Sequence, residues 1–377
     1  MIVRGTWRVG SIAGIEIAIH PSWLVTYVLF SYSATVAAGM FADELNAPLS
    51  TTNGIILGSI ASLVLFASVV AHEFAHAIVA RRLGIPIGNI TLFLFGGVAS
   101  ILREPGTPGD ELKMAAAGPA ASVVIALVFG AIALGAAQLH WMWIATFGLF
   151  LAGANLVLAV FNLLPAFPSD GGRILRAALW KITGSQARAT SAASVVSAVI
   201  AALLVVTGGY MALHQAWRGI WLIFIALFLL QAAIASGRQA RLSLALERMR
   251  IGDLMARTLI PISTDESVAS FVAHVAGDSK HTGYPVVEHG AFVGLVSPRD
   301  TAGVPPGLWA HTPVSAIMTP AAKLPALSPE APASDALAAL ATSGARMLPV
   351  LESGELNGVV SEEIIFSALR DKGADKR

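Results

Sequence analysis

A His-Glu-x-x-His pattern at residues 72–76 is the group of side chains best suited to chemistry in this sequence. On a helix, His72 and His76 are four residues apart and share one face, so both imidazoles can bind one metal ion. Glu73 lies about 100° round the helix, where it can act as a general base toward an attacking water. The alternative is a helix with two incidental histidines and a glutamate.

Asp170 is the outstanding candidate for a third metal ligand. It is the first acidic residue after 56 residues without Asp, Glu, Lys or Arg. Pro165 and Pro168 interrupt the preceding helix, while Gly171 and Gly172 permit unusual backbone angles, so the chain can turn this carboxylate toward another helix. The alternative is an ordinary Asp in a Pro/Gly turn. The sequence has no cysteine, which excludes thiolate ligands and leaves His, Asp and Glu.

The elements that must position these residues are strongly apolar. Charged residues make up 12% of the 377 residues, about half the usual share of roughly 25% in soluble domains. Nineteen charges lie in the first 236 residues and 28 in the remaining 141. Because a bilayer-spanning helix needs about 20 apolar residues, the long uncharged stretches predict six spans, at about 21–41, 55–81, 117–137, 141–164, 191–213 and 217–236. The alternative is the buried helices of a large soluble protein.

The positions of Lys and Arg predict the orientation of these spans. They precede span one, lie between spans two and three and between spans four and five, and follow span six. The loops 42–54, 138–140 and 214–216 contain none. We therefore expect a multi-pass protein of the plasma membrane with both termini in the cytoplasm. The net charge of +1 gives no basic field for nucleic acid, so the expected surroundings are lipid.

The membrane part resembles the site-2 protease family of intramembrane zinc metalloproteases. The resemblance rests on residues 72–76 and 162–172 and covers about residues 10–230. By that resemblance His72, His76 and Asp170 are ligands of one zinc ion and Glu73 is the catalytic base. Asn162 orients the substrate backbone or the oxyanion; the alternative for this residue is a hydrogen bond between helices.

Two regions outside the predicted spans have the character of strands. Residues 9–19 alternate in polarity, which predicts short strands on the membrane surface. Residues 90–101 are apolar but too short to span, and Gly96 and Gly97 interrupt them. By the family resemblance this second region is a membrane-associated β-hairpin that binds extended substrate at its edge. A short re-entrant plug is the alternative.

After Arg250 the composition becomes that of a soluble domain, and two segments align at a spacing of 63–64 residues. They resemble a tandem pair of CBS domains, regulatory modules that often bind adenosine nucleotides between the repeats. By that resemblance Ser297 contacts phosphate and Asp300 contacts ribose. In the second repeat Ile364 stands where the second ribose-binding Asp is expected, so one site is expected at most. The alternative is a structural or dimerising pair, which makes a homodimer a further expectation.

The predicted fold class is a polytopic α-helical membrane protein with a short β-hairpin, followed by a soluble α/β CBS pair. The expected divisions are a metalloprotease domain at 1–240, a linker at 241–248, a first CBS domain at 249–308, and a second with the tail at 309–377. The leading hypothesis is a zinc endopeptidase that cuts membrane proteins within the bilayer and is modulated by the CBS pair. By family analogy its substrate is a single-span protein already shortened by another protease, such as an anti-sigma factor. The rivals are a CBS-gated metal-ion transporter or channel and an inactive scaffold.

Overall fold

The computed structural model describes residues 5–44, 49–93, 96–101, 103–276 and 283–374. The chain divides into two compact units, Met1–Ala240 and Arg241–Arg377. Residues 94 and 95, within the predicted hairpin, lie outside the described residues. Each unit is considered by itself.

Six helical segments of the described chain are long and apolar enough to cross a membrane, as predicted. These spans are Trp23–Ala42, Thr51–Arg82, Pro108–Gln138, Met142–Asn162, Gln186–His214 and Gly219–Arg248. The helices that contain them, together with one shorter helix, are α1 (Trp23–Glu44), α2 (Thr51–Arg82), α3 (Pro108–Gln138), α4 (Met142–Asn162), α5 (Asp170–Thr183) and α6 (Gln186–Arg248). Helices satisfy their own backbone hydrogen bonds, which the bilayer interior demands. The segment 241–248, expected to be a linker, is helical and belongs to α6.

Side-chain caps extend the helices beyond the apolar stretches. The Ser50 hydroxyl accepts a hydrogen bond from the backbone N of Asn53 and begins α2. Thr107 caps α3 in the same way, accepting from Asp110 N at 3.1 Å, and Pro108 occupies the first turn. The third helix therefore begins well before residue 117, where hydropathy alone placed the start of the span.

The strands of the first unit form one four-stranded sheet in the order β1-β2-β3-β4. They are β1 (Trp7–Ile12), β2 (Ile15–Ile19), β3 (Ile87–Phe93) and β4 (Gly96–Ile101). Both predicted strand regions are present, and the structure joins them through a parallel pairing of β2 with β3. That pairing is parallel because α1 and α2 form the crossover between the two strands. Ile15 and Ile90 are buried against Ala77, so the sheet packs on α2.

α6 contains two of the membrane spans, Gln186–His214 and Gly219–Arg248. These two spans approach each other closely at glycine positions. A Cβ on Gly208 would lie 2.8 Å from the Ile223 side chain and 3.0 Å from its backbone N. A Cβ on Gly219 would collide with backbone atoms of Ala212. Small residues allow helix backbones to pack at short range in membranes, and here they hold the last two spans together.

The second unit contains two similar halves. Its helices and strands are α7 (Ile251–Leu254), β5 (Ile262–Ser263), α8 (Val268–Val275), β6 (Tyr284–Glu288), β7 (Ala291–Val296), β8 (Thr319–Pro320), α9 (Ala333–Ser343), β9 (Met347–Glu352), β10 (Glu355–Ser361) and α10 (Glu362–Ala374). The hairpins β6–β7 and β9–β10 turn through His289-Gly290 and Ser353-Gly354. All four turn residues have positive φ, between 50° and 89°. Such two-residue turns match the twist of paired strands, and their spacing of 64 residues confirms the internal repeat.

We expect Gly219→Ala to destabilise the membrane unit, because the new methyl group would enter the backbone of the facing span. Forced overpacking costs about 1–3 kcal/mol, enough to lower the thermal unfolding midpoint in detergent by several degrees. Gly209→Ala is the matched control, since a Cβ on Gly209 meets nothing within 4 Å. Equal midpoints for the two variants would contradict the close approach.

Candidate metal centre

The two histidines of the sequence motif lie side by side on α2. His72 and His76 are 3% and 5% exposed, and their Nε2 atoms are 3.2 Å apart. The spacing of four residues places both rings on one helix face, as predicted. Both Nε2 atoms therefore face a common point inside the helix bundle.

Asp170 reaches the same point from the first turn of α5. Its Oδ2 atom lies 3.1 Å from Nε2 of His72 and 3.1 Å from Nε2 of His76. The preceding turn is tight: the Ser169 hydroxyl donates to the carbonyl oxygens of Leu164 and Ala166, each at 2.6 Å. The structure thus brings together the three predicted ligands, which are all buried.

A Cβ at either glycine after Asp170 would prevent this turn. On Gly171 it would collide with the carbonyl oxygens of Leu163 and Leu164, and on Gly172 it would lie 2.7 Å from the backbone N of Phe167. Glycine is therefore needed at these two positions because the neighbouring backbone leaves no room for a Cβ. The sequence-based expectation was instead that glycine supplies unusual backbone angles.

The three ligand atoms fit a zinc ion. A tetrahedral ion with bonds of about 2.0–2.1 Å separates its ligand atoms by about 3.3–3.4 Å. The separations here are 3.1, 3.1 and 3.2 Å, close to one face of such a tetrahedron. Two imidazoles and one carboxylate are also a donor set that suits catalytic zinc and leaves one coordination position open.

The opposite ring nitrogens of the histidines are held by α3. Nδ1 of His76 donates to the carbonyl oxygen of Met114 at 2.6 Å, so in the neutral ring Nε2 carries the lone pair that a metal ion needs. Nδ1 of His72 lies 2.9 Å from the hydroxyl of Ser122. Outer partners of this kind fix the tautomer and the orientation of metal-binding histidines.

Gly118 on α3 makes room at the ligand atoms, which sequence reasoning did not predict. A Cβ on Gly118 would lie 2.5 Å from Nε2 of His72 and closer still to Nε2 of His76. Any side chain there would occupy the space beside both ligand nitrogens. In the sequence Gly118 is one of several glycines of α3, and hydropathy does not distinguish it from other small residues.

Glu73 and Asn162 line a cavity of about 400 Å³ beside the three ligand residues. Gly97 lines it as well and packs directly against the Glu73 side chain, because a Cβ on Gly97 would lie 3.1 Å from the carboxyl carbon. Asn162 is held by its own helix, where Nδ2 donates to the Leu158 carbonyl at 3.0 Å. Gly96 has a φ of 126° and is not among the described residues lining the cavity.

Arg173 also lines this cavity. The sequence did not indicate this role, because Arg173 is there only one of several Lys and Arg residues that predict the orientation of the spans. Its side chain is 19% exposed, and its Nε lies 4.0 Å from Oε1 of the fully buried Glu111. Burial lowers the pKa of Arg173, while the nearby carboxylates of Asp170 and Glu111 act in the opposite direction. The group remains a cation, since arginine is not deprotonated in proteins.

The CBS unit contains a second cavity, of about 580 Å³. Of the two predicted nucleotide-contact residues, only Ser297 is among its described lining residues. Ser297 lines this cavity together with Arg299, Arg346 and Ser361. Asp300 is not among the described lining residues. Its carboxylate accepts hydrogen bonds from the backbone N and the hydroxyl of Ser297, at 2.6 and 2.9 Å.

Comparison with known proteins matches both parts of the chain. Residues 60–141 and 130–207 match the model of peptidase family M50, and residues 251–303 and 314–371 match the CBS domain model. The chain is 33% identical to a Mycobacterium tuberculosis protein named zinc metalloprotease Rip3, over 93% of this chain and 89% of that one.

Two further proteins are similar to this chain. A Synechocystis protein named zinc metalloprotease sll0528 is 35% identical over 82% of this chain and 81% of its own length. The solved site-2 protease of Methanocaldococcus jannaschii is 29% identical, covering 62% of this chain and 95% of that one, with a TM-score of 0.41.

We expect Gly118→Ala to abolish zinc binding, because its methyl group would lie against both ligand nitrogens. Zinc per purified chain, measured by mass spectrometry, should fall at least tenfold. Gly130→Ala on the same helix is the control, since a Cβ there meets nothing within 4 Å. Full zinc content in Gly118→Ala would mean that the ion lies elsewhere.

Proposed function

Because the chain belongs to peptidase family M50, the site-2 protease family, we propose that it hydrolyses peptide bonds within the transmembrane segments of other membrane proteins. One observation carries this proposal: Glu73 of a membrane span lines the same cavity as two of the three convergent ligand residues, His76 and Asp170. That combination supplies a metal site and a base at one place. The presence of a base favours hydrolysis over simple ion binding, because ion binding requires no proton acceptor beside the metal site.

His72, His76 and Asp170 are the residues that would hold zinc. When bound, zinc polarises the scissile carbonyl and lowers the pKa of water toward about 7. Glu73 accepts a proton from the attacking water on a carboxylate oxygen and passes it to the departing nitrogen. Gly97 leaves the space that this carboxylate occupies. Asn162 orients the substrate backbone with the N–H that the Leu158 carbonyl does not use.

The edge of β4 is the proposed docking place for the substrate. In the sheet order β1-β2-β3-β4 this strand pairs on one side only among the described strands. A helical substrate hides its peptide bonds and must unwind before cleavage, and an edge strand then satisfies the freed backbone groups. Gly96 and Gly97 keep this edge free of bulky side chains next to Glu73.

The proposed substrate is a single-span membrane protein already shortened by another protease, of which a membrane-bound anti-sigma factor is an example. The pattern of Lys and Arg supports a plasma-membrane protein with both termini and the CBS unit in the cytoplasm. The active site then opens toward the cytoplasmic half of the bilayer, since His76 lies only six residues before Arg82.

We further propose that the CBS pair modulates cleavage by binding an adenosine nucleotide in the cavity lined by Ser297. Arg299 and Arg346 at this cavity offer positive charge to phosphate groups. Asp300 is now engaged by Ser297, so a ribose contact requires its carboxylate to turn. Homodimerisation through the CBS unit is a second proposed role of the pair.

Glu73→Gln is the direct test of the enzymatic proposal, because it keeps the shape of the side chain but cannot take a proton. Coexpression with a tagged single-span substrate should give cleavage by the wild type and at least a thousandfold less by the variant, with equal zinc content. Equal cleavage by both would overturn the mechanism. Zinc flux into liposomes without any peptidase activity would favour a transporter instead.

Nucleotide binding is tested by calorimetry on the full-length protein with AMP, ADP and ATP in turn. We expect about one nucleotide per chain, because Ile364 replaces the second ribose-binding Asp. Ser297→Ala should weaken binding about tenfold, since a hydrogen bond to a charged group contributes about 1.5–3 kcal/mol. Ser328→Ala, at an exposed serine outside the cavity, should bind as the wild type does. If no binding is detected at millimolar nucleotide, the nucleotide proposal is wrong, and a structural or dimerising role of the CBS pair is favoured.

A further inference from the structure

Arg173 is a partly buried cation on the wall of the catalytic cavity, and the reaction described above gives it no role. Of the charged residues in the described lining, Glu73 and Asp170 are acidic and Arg173 is the cation. Much of the remaining wall is apolar, formed by Phe93, Phe161, Ile225, Phe228 and Leu229. A guanidinium held against apolar surface costs free energy unless its N–H groups find acceptors.

The neighbours of Arg173 leave those N–H groups largely unused. Oε1 of Glu111 accepts a hydrogen bond from Nε of Arg176 at 2.7 Å and also pairs with a terminal nitrogen of Arg176. Arg176 in addition lies 6.0 Å from the ring centre of Phe167. Arg173 is 4.0 Å from the same oxygen, beyond hydrogen-bond distance. Within the described chain its guanidinium donates no hydrogen bond, so its donors are available to a molecule in the cavity.

We propose that Arg173 is a catalytic residue that stabilises negative charge on the carbonyl oxygen of the scissile peptide. The proposal rests on the proposed function and adds a group to it. Asn162 is a weaker candidate for this charge, because it is neutral and one of its N–H groups is bound to the Leu158 carbonyl. A cationic donor whose N–H groups are not already bound stabilises developing negative charge more strongly than a neutral one.

The water oxygen bonds to the carbonyl carbon, and the π electron pair of the C=O bond moves onto the oxygen that Arg173 faces. The proton released by the water goes to Glu73 and then to the amide nitrogen as the C–N bond breaks. The electron pair on the oxygen re-forms the carbonyl, which leaves a carboxylic acid and an amine. Arg173 is thus required most while the oxygen carries the charge.

The test compares full-length variants in proteoliposomes with a synthetic single-span peptide of about 20 apolar residues, a central Gly-Pro pair, and a donor and quencher at its ends. Arg173→Gln should lower kcat about 100-fold, as loss of one oxyanion donor does in other proteases, with KM changed less than threefold. Arg173→Lys keeps the charge but loses the planar guanidinium with its paired N–H donors. Its kcat should be about tenfold higher than that of Arg173→Gln. Lys181→Gln removes an exposed charge from the same helix and should match the wild type.

A second measurement does not depend on turnover. A phosphinic peptide carries a charged oxygen on a tetrahedral centre, so its dissociation constant should rise in Arg173→Gln by the factor that kcat/KM falls. Zinc content should equal that of the wild type. A change confined to KM, a kcat within threefold of the wild type, or a loss of zinc would each overturn the role of Arg173.

The two proposals fail in different ways. If zinc-loaded wild type cleaves the peptide no faster than Glu73→Gln, the proposed function is wrong, and the role of Arg173 falls with it. If the wild type cleaves and Arg173→Gln cleaves equally fast, only the role of Arg173 is wrong.

Discussion

Burial of two imidazoles and one carboxylate among apolar spans is the constraint on which the membrane unit depends. Each of these groups prefers water, and inside a bilayer protein the loss of water must be compensated by other polar groups. The compensation comes from several elements at once. The Met114 carbonyl and the Ser122 hydroxyl of α3 bind the outer nitrogens of the histidines, and α5 supplies Asp170. Small shifts of α3 or α5 would therefore leave a buried polar group without a partner.

The sequence was sufficient for those features that follow from residue type and local spacing. Hydropathy identified the six spans, and the four-residue spacing of His72 and His76 predicted their shared face. Asp170 stands out in the sequence because it is the first carboxylate after a long uncharged stretch. The features that depend on packing were not predictable in this way. Gly118 matters only because α3 lies against α2 at that residue, and Arg173 matters only because the first turn of α5 faces the cavity. The parallel pairing of β2 with β3 likewise joins strands that are far apart in the sequence.

The two halves of the CBS unit show how a repeat can keep its fold while its site changes. Both hairpins use the same two-residue turn, with positive φ at His289-Gly290 and at Ser353-Gly354. The equivalent serines, Ser297 and Ser361, line the same cavity. The position three residues after each serine differs: Asp300 accepts hydrogen bonds from Ser297, and Ile364 in the second half cannot accept any. Turn geometry is thus common to both halves, whereas the carboxylate three residues after the serine belongs to the first half alone.

One edge of β4 pairs with no other strand in the described part of the chain, and this has a consequence for hydration. Backbone N–H and C=O groups along an edge strand cannot remain without partners in a medium of low polarity, so between substrates they must be solvated. Gly97 places this edge against Glu73, and the water that solvates the edge therefore collects beside the base. An arriving peptide displaces part of that water and leaves the rest enclosed with it. In the proposed docking mode, the strand that binds the polypeptide thereby also draws the second reactant of hydrolysis into a region from which lipid would otherwise exclude it.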